Sequence, residues 1–149
     1  MQKNILVRQK LKGILFLSNN SWEMNNNEIL LLDTNTVMYL IKGDETVYKL
    51  VDQRPVAINF ITEIELLSWP FLTKELTKII IDLISNVQYF DYSSRIKQTA
   101  ISLRRKYKLK LGDAFIASTA LEYNLPLLSA DRHFQQVDEI QLIKFTPSI

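Results

Sequence analysis

Five short apolar runs punctuate this chain: Ile29 to Leu32, Val56 to Asn59, Val87 to Phe90, Leu127 to Ser129 and Gln141 to Phe145. A run such as Ile29-Leu30-Leu31-Leu32 is apolar on both faces of an extended backbone, which suits a strand covered on both sides. The stretches between the runs have helical spacing. Thr36 to Ile41 stops at Lys42-Gly43, with glycine in its usual terminating place. Thr62 is placed to cap a helix through Leu67 that Pro70 ends, and Glu65 three residues on gives capping-box spacing. Thr73 to Ser85 sets Leu76, Ile79, Ile80, Leu83 and Ile84 on one face. Ser93 or Ser94 opens a helix to about Tyr107, and a helix rich in small residues covers Leu111 to Tyr123. A last short helix is expected near His133 to Val137. Strands that alternate with helices predict an α/β fold with a mostly parallel sheet.

Four acidic residues stand at the joints of this pattern. Asp33 follows the first run, Glu65 lies just beyond the second, Asp113 is at the mouth of the small-residue helix and Asp131 follows Leu127-Leu128-Ser129-Ala130. If the runs are neighbouring parallel strands, their carboxyl ends share one edge of the sheet, where ligands bind in open α/β folds. Oxygen donors, with no cysteine and a single histidine in the chain, suit a hard cation such as Mg2+ or Mn2+.

Each acid also has a plainer explanation. Asp33 and Asp113 are at helix starts, where a carboxylate caps exposed N–H groups or meets the positive end of the helix dipole. Glu65 could be no more than a capping partner, with Glu63 beside it equally acidic, although helical phase turns Glu65 toward Ile61, Leu66 and Trp69. Asp131 sits where turns commonly use aspartate. His133, the one histidine, is read as a surface residue before a catalytic base. Asn35 is placed either to hold the Asp33 carboxylate or to bind a water on the metal.

A chain of 149 residues makes one domain by its length. The absence of cysteine removes disulfides, thiolate metal sites and thiol catalysis, and accords with a reducing cytoplasm. No apolar stretch approaches the roughly 18–20 residues that span a bilayer, and the five-residue run Gly13 to Leu17 is shorter than a signal peptide's apolar part of about 7–15. Secretion and membrane insertion are therefore not expected. Residues 1–27 are basic, then asparagine-rich. They are expected to form an N-terminal extension outside a core of residues 28–149, either poorly ordered or with a short strand or helix at Ile14 to Leu17, and with Met24 as a possible true start. The net charge of +2 comes from this segment, and the remainder is nearly neutral. One local exception is the span from Arg95 to Lys110, with seven basic residues and no acidic one. It is either a solvated helix face or a phosphate-contacting patch running into Asp113.

Taken together, the four motifs resemble those of the PIN-domain ribonucleases, most closely the VapC-like toxins of bacterial toxin–antitoxin pairs. The matching stretches are the strand ending in Asp33-Thr34-Asn35, Thr62-x-x-Glu65-Leu66, Leu111-Gly112-Asp113-Ala114-Phe115-Ile116-Ala117, and Leu128-Ser129-Ala130-Asp131-x-x-Phe134. Ser129 stands where threonine is usual, so the hydroxyl survives. The resemblance covers about residues 28–146 and leaves the extension without a counterpart. It implies a three-layer α/β/α sandwich with a central sheet of about five strands. It implies a Mg2+- or Mn2+-dependent endoribonuclease, with Asp33, Glu65, Asp113 and Asp131 as the catalytic and metal-binding residues. It also implies a homodimer, and a small cognate antitoxin whose tail fills the active-site groove. Thr34, Asn35, Ser129, Arg104, Arg105 and Arg132 are the expected RNA contacts. Three other readings remain open at this point. One is a phosphoryl-transfer enzyme with Asp33 as nucleophile, for which Asn35 replaces the second aspartate that chemistry wants. Another is a receiver domain with a phosphorylated aspartate, whose acidic pair and late strand-end lysine are not evident here. The third is a non-catalytic α/β interaction module.

Overall fold

The computed structural model describes residues 2–19, 25 and 28–149, with side chains from Val7 onward in the first of these segments. In chain order the elements are α1 (Gln2–Asn19), β1 (Leu30–Leu32), α2 (Thr34–Lys42), α3 (Glu45–Val51), β2 (Val56–Asn59), α4 (Phe60–Leu67) and α5 (Lys74–Asn86). They continue with β3 (Gln88–Phe90), α6 (Ser94–Lys106), α7 (Leu111–Glu122), β4 (Leu127–Ser129), a 3-10 turn (Arg132–Gln136) and β5 (Leu142–Lys144). The strands form one sheet, parallel throughout, in the order β3-β2-β1-β4-β5. All five apolar runs become strands, each trimmed by no more than a residue or two.

The side-chain alternation of the strands divides the core in two. Leu30 and Leu32 of β1, Val56 and Ile58 of β2 and Leu128 of β4 face one side, where they meet α1, α2, α3 and α5. Ile29, Leu31, Ala57 and Leu127 face the other side and meet α6 and α7. This is the three-layer α/β/α sandwich. Central β1 is buried on both faces, which is why it is uniformly leucine. Each such leucine contributes about 1.5–3 kcal/mol through burial, so truncating Leu31 to alanine is expected to cost about 2–5 kcal/mol. Ala57 lies beneath Ala114, Ala117 and Ala120, and these small residues bring α7 close to the sheet.

The structure departs from the sequence expectation in three places. Residues 2–19 form a helix, longer than the Ile14 to Leu17 segment. Val7, Leu11, Ile14 and Ser18 recur at three- and four-residue intervals, and Leu11 and Ile14 join the first core cluster. The Ser18 hydroxyl accepts the Val56 N–H at 3.0 Å, tying α1 to the start of β2. Gly43 ends α2 at φ 86°, and a β-carbon there would come within 2.9 Å of Val7, so α1 packs close against that turn. Met24 and most of the asparagine cluster lie outside the described residues. Second, α3 was not foreseen. Asp44 caps it through the Val47 N–H, and Val47 and Val51, one turn apart, are its buried residues. Third, Thr62 does not cap α4. Asn59, the last residue of β2, does so by accepting the Thr62 N–H at 3.2 Å, because the chain passes from strand to helix without a loop.

Candidate active site

β1 lies between β2 and β4, so the chain direction of the connections reverses beside it, and the crevice at the carboxyl ends of β1 and β4 is the topological switch point of the sheet. Three polar residues line that edge on adjacent strands: Asn59 ends β2, Asp33 follows β1 and Ser129 ends β4, all buried.

Asp33 serves two purposes. It caps α2 by accepting the Thr36 N–H at 2.9 Å, so the capping explanation holds. Its other oxygen accepts from the Ser129 hydroxyl. The Thr36 hydroxyl lies within reach of both Asp33 Oδ1 and the Leu128 carbonyl (3.0 Å). Its single proton can serve only one of them at a time. Asp33 is only 5% exposed, and this burial pushes its pKa up. The hydrogen bonds from Ser129 and Thr36 oppose the shift, and the negative charge of Asp131 adds to it.

Asp113 is not a cap. The helix begins at Leu111 with Lys110 in the capping position and no side-chain cap, and among the described residues the Asp113 carboxylate accepts no hydrogen bond. Its pKa is raised, first by burial and then by the charges of Asp131, Asp33 and Glu65, with His133 partly offsetting them. The other three predicted acids therefore all fall within electrostatic reach of Asp113. Gly112 lets the start of α7 approach α4, since a β-carbon there would lie 3.3 Å from Ile61 and 3.9 Å from Glu65 Oε1.

Glu65 is exposed on α4 and accepts the Thr34 hydroxyl at 2.7 Å. It therefore lies at the mouth of the crevice and is not turned into the core. Glu63 goes elsewhere: it takes the Tyr89 hydroxyl at 3.1 Å, and burial together with that bond pushes the phenol up to about 12. Asp131 caps the 3-10 turn through the His133 N–H (2.9 Å) and also pairs with His133 Nδ1 at 2.8 Å. The lone histidine is thus a partner of an acid.

The remaining predicted residues divide. Ser129 is buried, and its hydroxyl is used within the protein: it donates to Asp33 and accepts the Asp131 N–H at 3.0 Å. It orients the Asp33 carboxylate and the Asp131 backbone, and is not open to substrate. Asn35 is exposed and does not hold Asp33; Thr36, three residues after the cap and not among the expected site residues, does so. Asn59 and Thr119 are likewise outside the expected set. Asn59 Nδ2 donates to the Thr119 hydroxyl at 3.2 Å, locking the start of α4 to α7 and so fixing Glu65 relative to Asp113. Arg132 is exposed next to Asp131. Arg104 and Arg105 are at the end of α6, where Arg104 Nε donates to the Leu109 carbonyl at 3.2 Å and holds the α6–α7 turn. They border a cleft of about 590 Å³ that contains none of the four acids. A larger concavity, about 700 Å³, lies between α1 and α5 and also contains none of them.

The PIN domain family model matches residues 30–140. The chain belongs to the PIN domain family. The matched span starts at β1, so α1 lies outside it. Among solved structures, a toxin–antitoxin complex from Klebsiella pneumoniae is similar at 25% identity and a TM-score of 0.68, over 77% of this chain and 96% of that one. VapBC-1 from nontypeable Haemophilus influenzae is similar at 24% identity and a TM-score of 0.68, over 78% and 97%. VapBC2 from Rickettsia felis, bound to a DNA fragment from its promoter, is similar at 22% identity and a TM-score of 0.67, over 79% and 99%. A comparison with curated proteins finds no match.

The PIN domain's carboxylate edge fits a hard divalent cation by its donor chemistry. It offers oxygen ligands only, and Asp113 is half-buried, repelled by three like charges and without a protein donor. Among the described residues no three of these side chains stand close enough to enclose an ion as they are placed. Asp33 is fixed by hydrogen bonds on both oxygens, which leave lone pairs for a cation, so closing around an ion would bring Asp113 and Asp131 toward Asp33, with Glu65 at the mouth.

Proposed function

We propose that this PIN-domain protein is a divalent-metal-dependent endoribonuclease, the toxin of a toxin–antitoxin pair. One observation carries the reading: carboxylates from four separate segments face the switch-point edge of the sheet, and Asp113, its pKa raised first by burial, is raised further by the charges of Asp131, Asp33 and Glu65. Such a cluster disfavours its own ionisation unless a cation is present. Mg2+ or Mn2+ held by Asp33, Asp113 and Asp131, with Glu65 at the mouth, would lower the pKa of a water and polarise a phosphodiester oxygen.

The chain's own groups supply the rest. Ser129 and Thr36 fix Asp33, and Ser129 also fixes the backbone of Asp131. Thr34 orients Glu65. His133 holds the Asp131 side chain and lessens the negative field on Asp113. Asn35 and Arg132 are exposed beside the acids, where they can meet the RNA backbone. The structural neighbours are described as complexes with antitoxins, and this supports a small cognate antitoxin for this chain. A homodimer and a cytoplasmic location complete the proposal. No described helix is long and apolar enough to cross a membrane.

The test is cleavage of a mixed RNA panel with Mg2+ or Mn2+ against EDTA, with Asp113→Asn run in parallel. Metal-dependent cutting by the wild type alone is expected. Equal cutting by the variant would remove Asp113 from the site, and no cutting together with no metal binding by calorimetry would favour the non-catalytic module.

A further inference from the structure

We propose that the cleft of about 590 Å³ between α6 and the first turn of α7 is a nucleotide subsite, which seats an unstacked base of a single-stranded RNA on the side of α7 opposite Asp113. The inference rests on the nuclease reading for its substrate class.

The rim carries Lys97, Arg104, Arg105 and Lys108, and no carboxylate lines the cleft. Two other cations of the same basic run are already paired, Arg95 with Glu122 at 2.8 Å and Lys106 with Glu139. Lys97, Arg105 and Lys108 have no ion pair among the described residues. Between these cations the surface is apolar. Lys97, Ile101 and Arg104 recur at helical spacing along one face of α6. Ile101 is 42% exposed and Leu111 57% exposed. A solvated helix face needs no exposed Ile and Leu among its cations, whereas a single-stranded nucleic acid site combines a cationic track with apolar or aromatic platforms.

Two flat side chains in the lining are held rigid. The Tyr107 hydroxyl donates to Glu139 at 2.9 Å. The Phe115 ring meets Phe60 edge-on at 5.2 Å, and Phe60 in turn meets Tyr92 at 6.0 Å. A base that enters the cleft therefore meets surfaces that need little further ordering.

Position relative to the acids follows from helical phase. Leu111 and Phe115 are one turn apart on the cleft side of α7, and Asp113 lies half a turn between them on the far side. The cleft and Asp113 thus lie on opposite sides of one helix, about 10–12 Å across. The subsite would select where the strand is cut and leave the chemistry at Asp113 alone.

The test uses the full chain. A fluorescent single-stranded RNA carrying 4-thiouridine is bound in EDTA and photocrosslinked, and the crosslinked peptides are mapped. Binding and the 5′ ends of cleavage products are then compared among wild type, Ile101→Glu and Arg105→Glu, both exposed positions outside the carboxylate site. Crosslinks are expected on the Ile101, Tyr107 and Leu111 peptides. Each variant is expected to bind about tenfold more weakly and to cut a broader set of sites, and Arg105→Glu should also show a shallower salt dependence. Wild-type affinity and an unchanged cleavage pattern in both variants would overturn the subsite. Crosslinks elsewhere, with a polyglutamate peptide binding wild type but not Arg105→Glu, would also overturn it and make the cleft a protein-docking surface. Crosslinks in the cleft from a protein that cuts no RNA under any metal would sustain the subsite and refute the nuclease.

Discussion

The Ser129 hydroxyl donates to the Asp33 carboxylate across 96 positions of sequence, joining the ends of β4 and β1 at the floor of the candidate site. The same oxygen takes the Asp131 N–H at 3.0 Å, so one buried hydroxyl sets two of the four acids.

Ser129→Ala removes that link and leaves a buried carboxylate oxygen and a backbone N–H short of a partner. The expected cost is about 1–3 kcal/mol of stability, with cleavage reduced at least tenfold. Ser129→Thr keeps the hydroxyl and is expected to retain most activity. Chemical denaturation and initial rates on one RNA check both. An alanine variant as active as the threonine variant would show that the hydroxyl positions nothing.

Asp33→Asn is expected to abolish cleavage and, in EDTA, to raise the melting temperature. The gain should be about 2–4 °C for each kcal/mol of repulsion and desolvation removed. Calorimetric melting of both proteins in EDTA reads this, and a lower melting point would mean that the lost Ser129 and Thr36 contacts outweigh the buried charge.

The raised pKa values of Asp33 and Asp113 set the sign of a pH effect. A carboxyl that is harder to ionise folded than unfolded contributes stability below about 3.8, the unfolded value, and loses it as pH rises through the folded value. The metal-free stability of wild type relative to Asp113→Asn should therefore fall as pH rises from about 4 toward neutral, and added Mn2+ should reverse the fall. A flat difference between the two melting curves across that range would contradict the coupling.

Asp44 has the opposite sign. Although buried, it accepts N–H bonds from Val47 (3.1 Å), Ser148 (2.7 Å) and Ile149 (3.2 Å), which outweigh burial and lower its pKa. Its contribution is present above about 3.8 and is lost as pH falls through the lower folded value. Asp44→Ala is expected to cost about 1–2 kcal/mol through the lost cap and to release the C-terminal residues, seen as faster amide exchange at Ser148 and Ile149. Unchanged exchange there would show that the tail is held by other contacts.

Ile14→Ala tests whether α1 is part of the folded unit. Ile14 is 2% exposed within the first core cluster, so truncation is expected to cost about 2–5 kcal/mol while RNA cleavage by the folded fraction stays unchanged. A cost below about 0.5 kcal/mol, the scale of an ordinary surface change, would mean that α1 is not packed in solution.

Much of this protein was legible in one dimension. A strand buried on both faces must be apolar throughout, so Leu30-Leu31-Leu32 announced a central strand, and the alternation of such runs with helical spacing announced a parallel α/β sheet. The four acids were visible because carboxylates are costly beside apolar runs unless something faces them. The stripe of Val7, Leu11, Ile14 and Ser18 was also present, masked by Gly13 and the basic residues around it.

Partner choice was decided only by the tertiary structure. Which hydroxyl holds Asp33, which of Glu63 and Glu65 reaches the crevice, and that Asn59 rather than Thr62 caps α4 all depend on how strands and helices pack. Those contacts span from three to 96 positions of chain, and hydrogen bonds are short and directional. Periodicity can place a residue on a face of its own element, but strand order sets which residue of another element it meets. Here the order β2-β1-β4 sets Asn59, Asp33 and Ser129 side by side at one sheet edge.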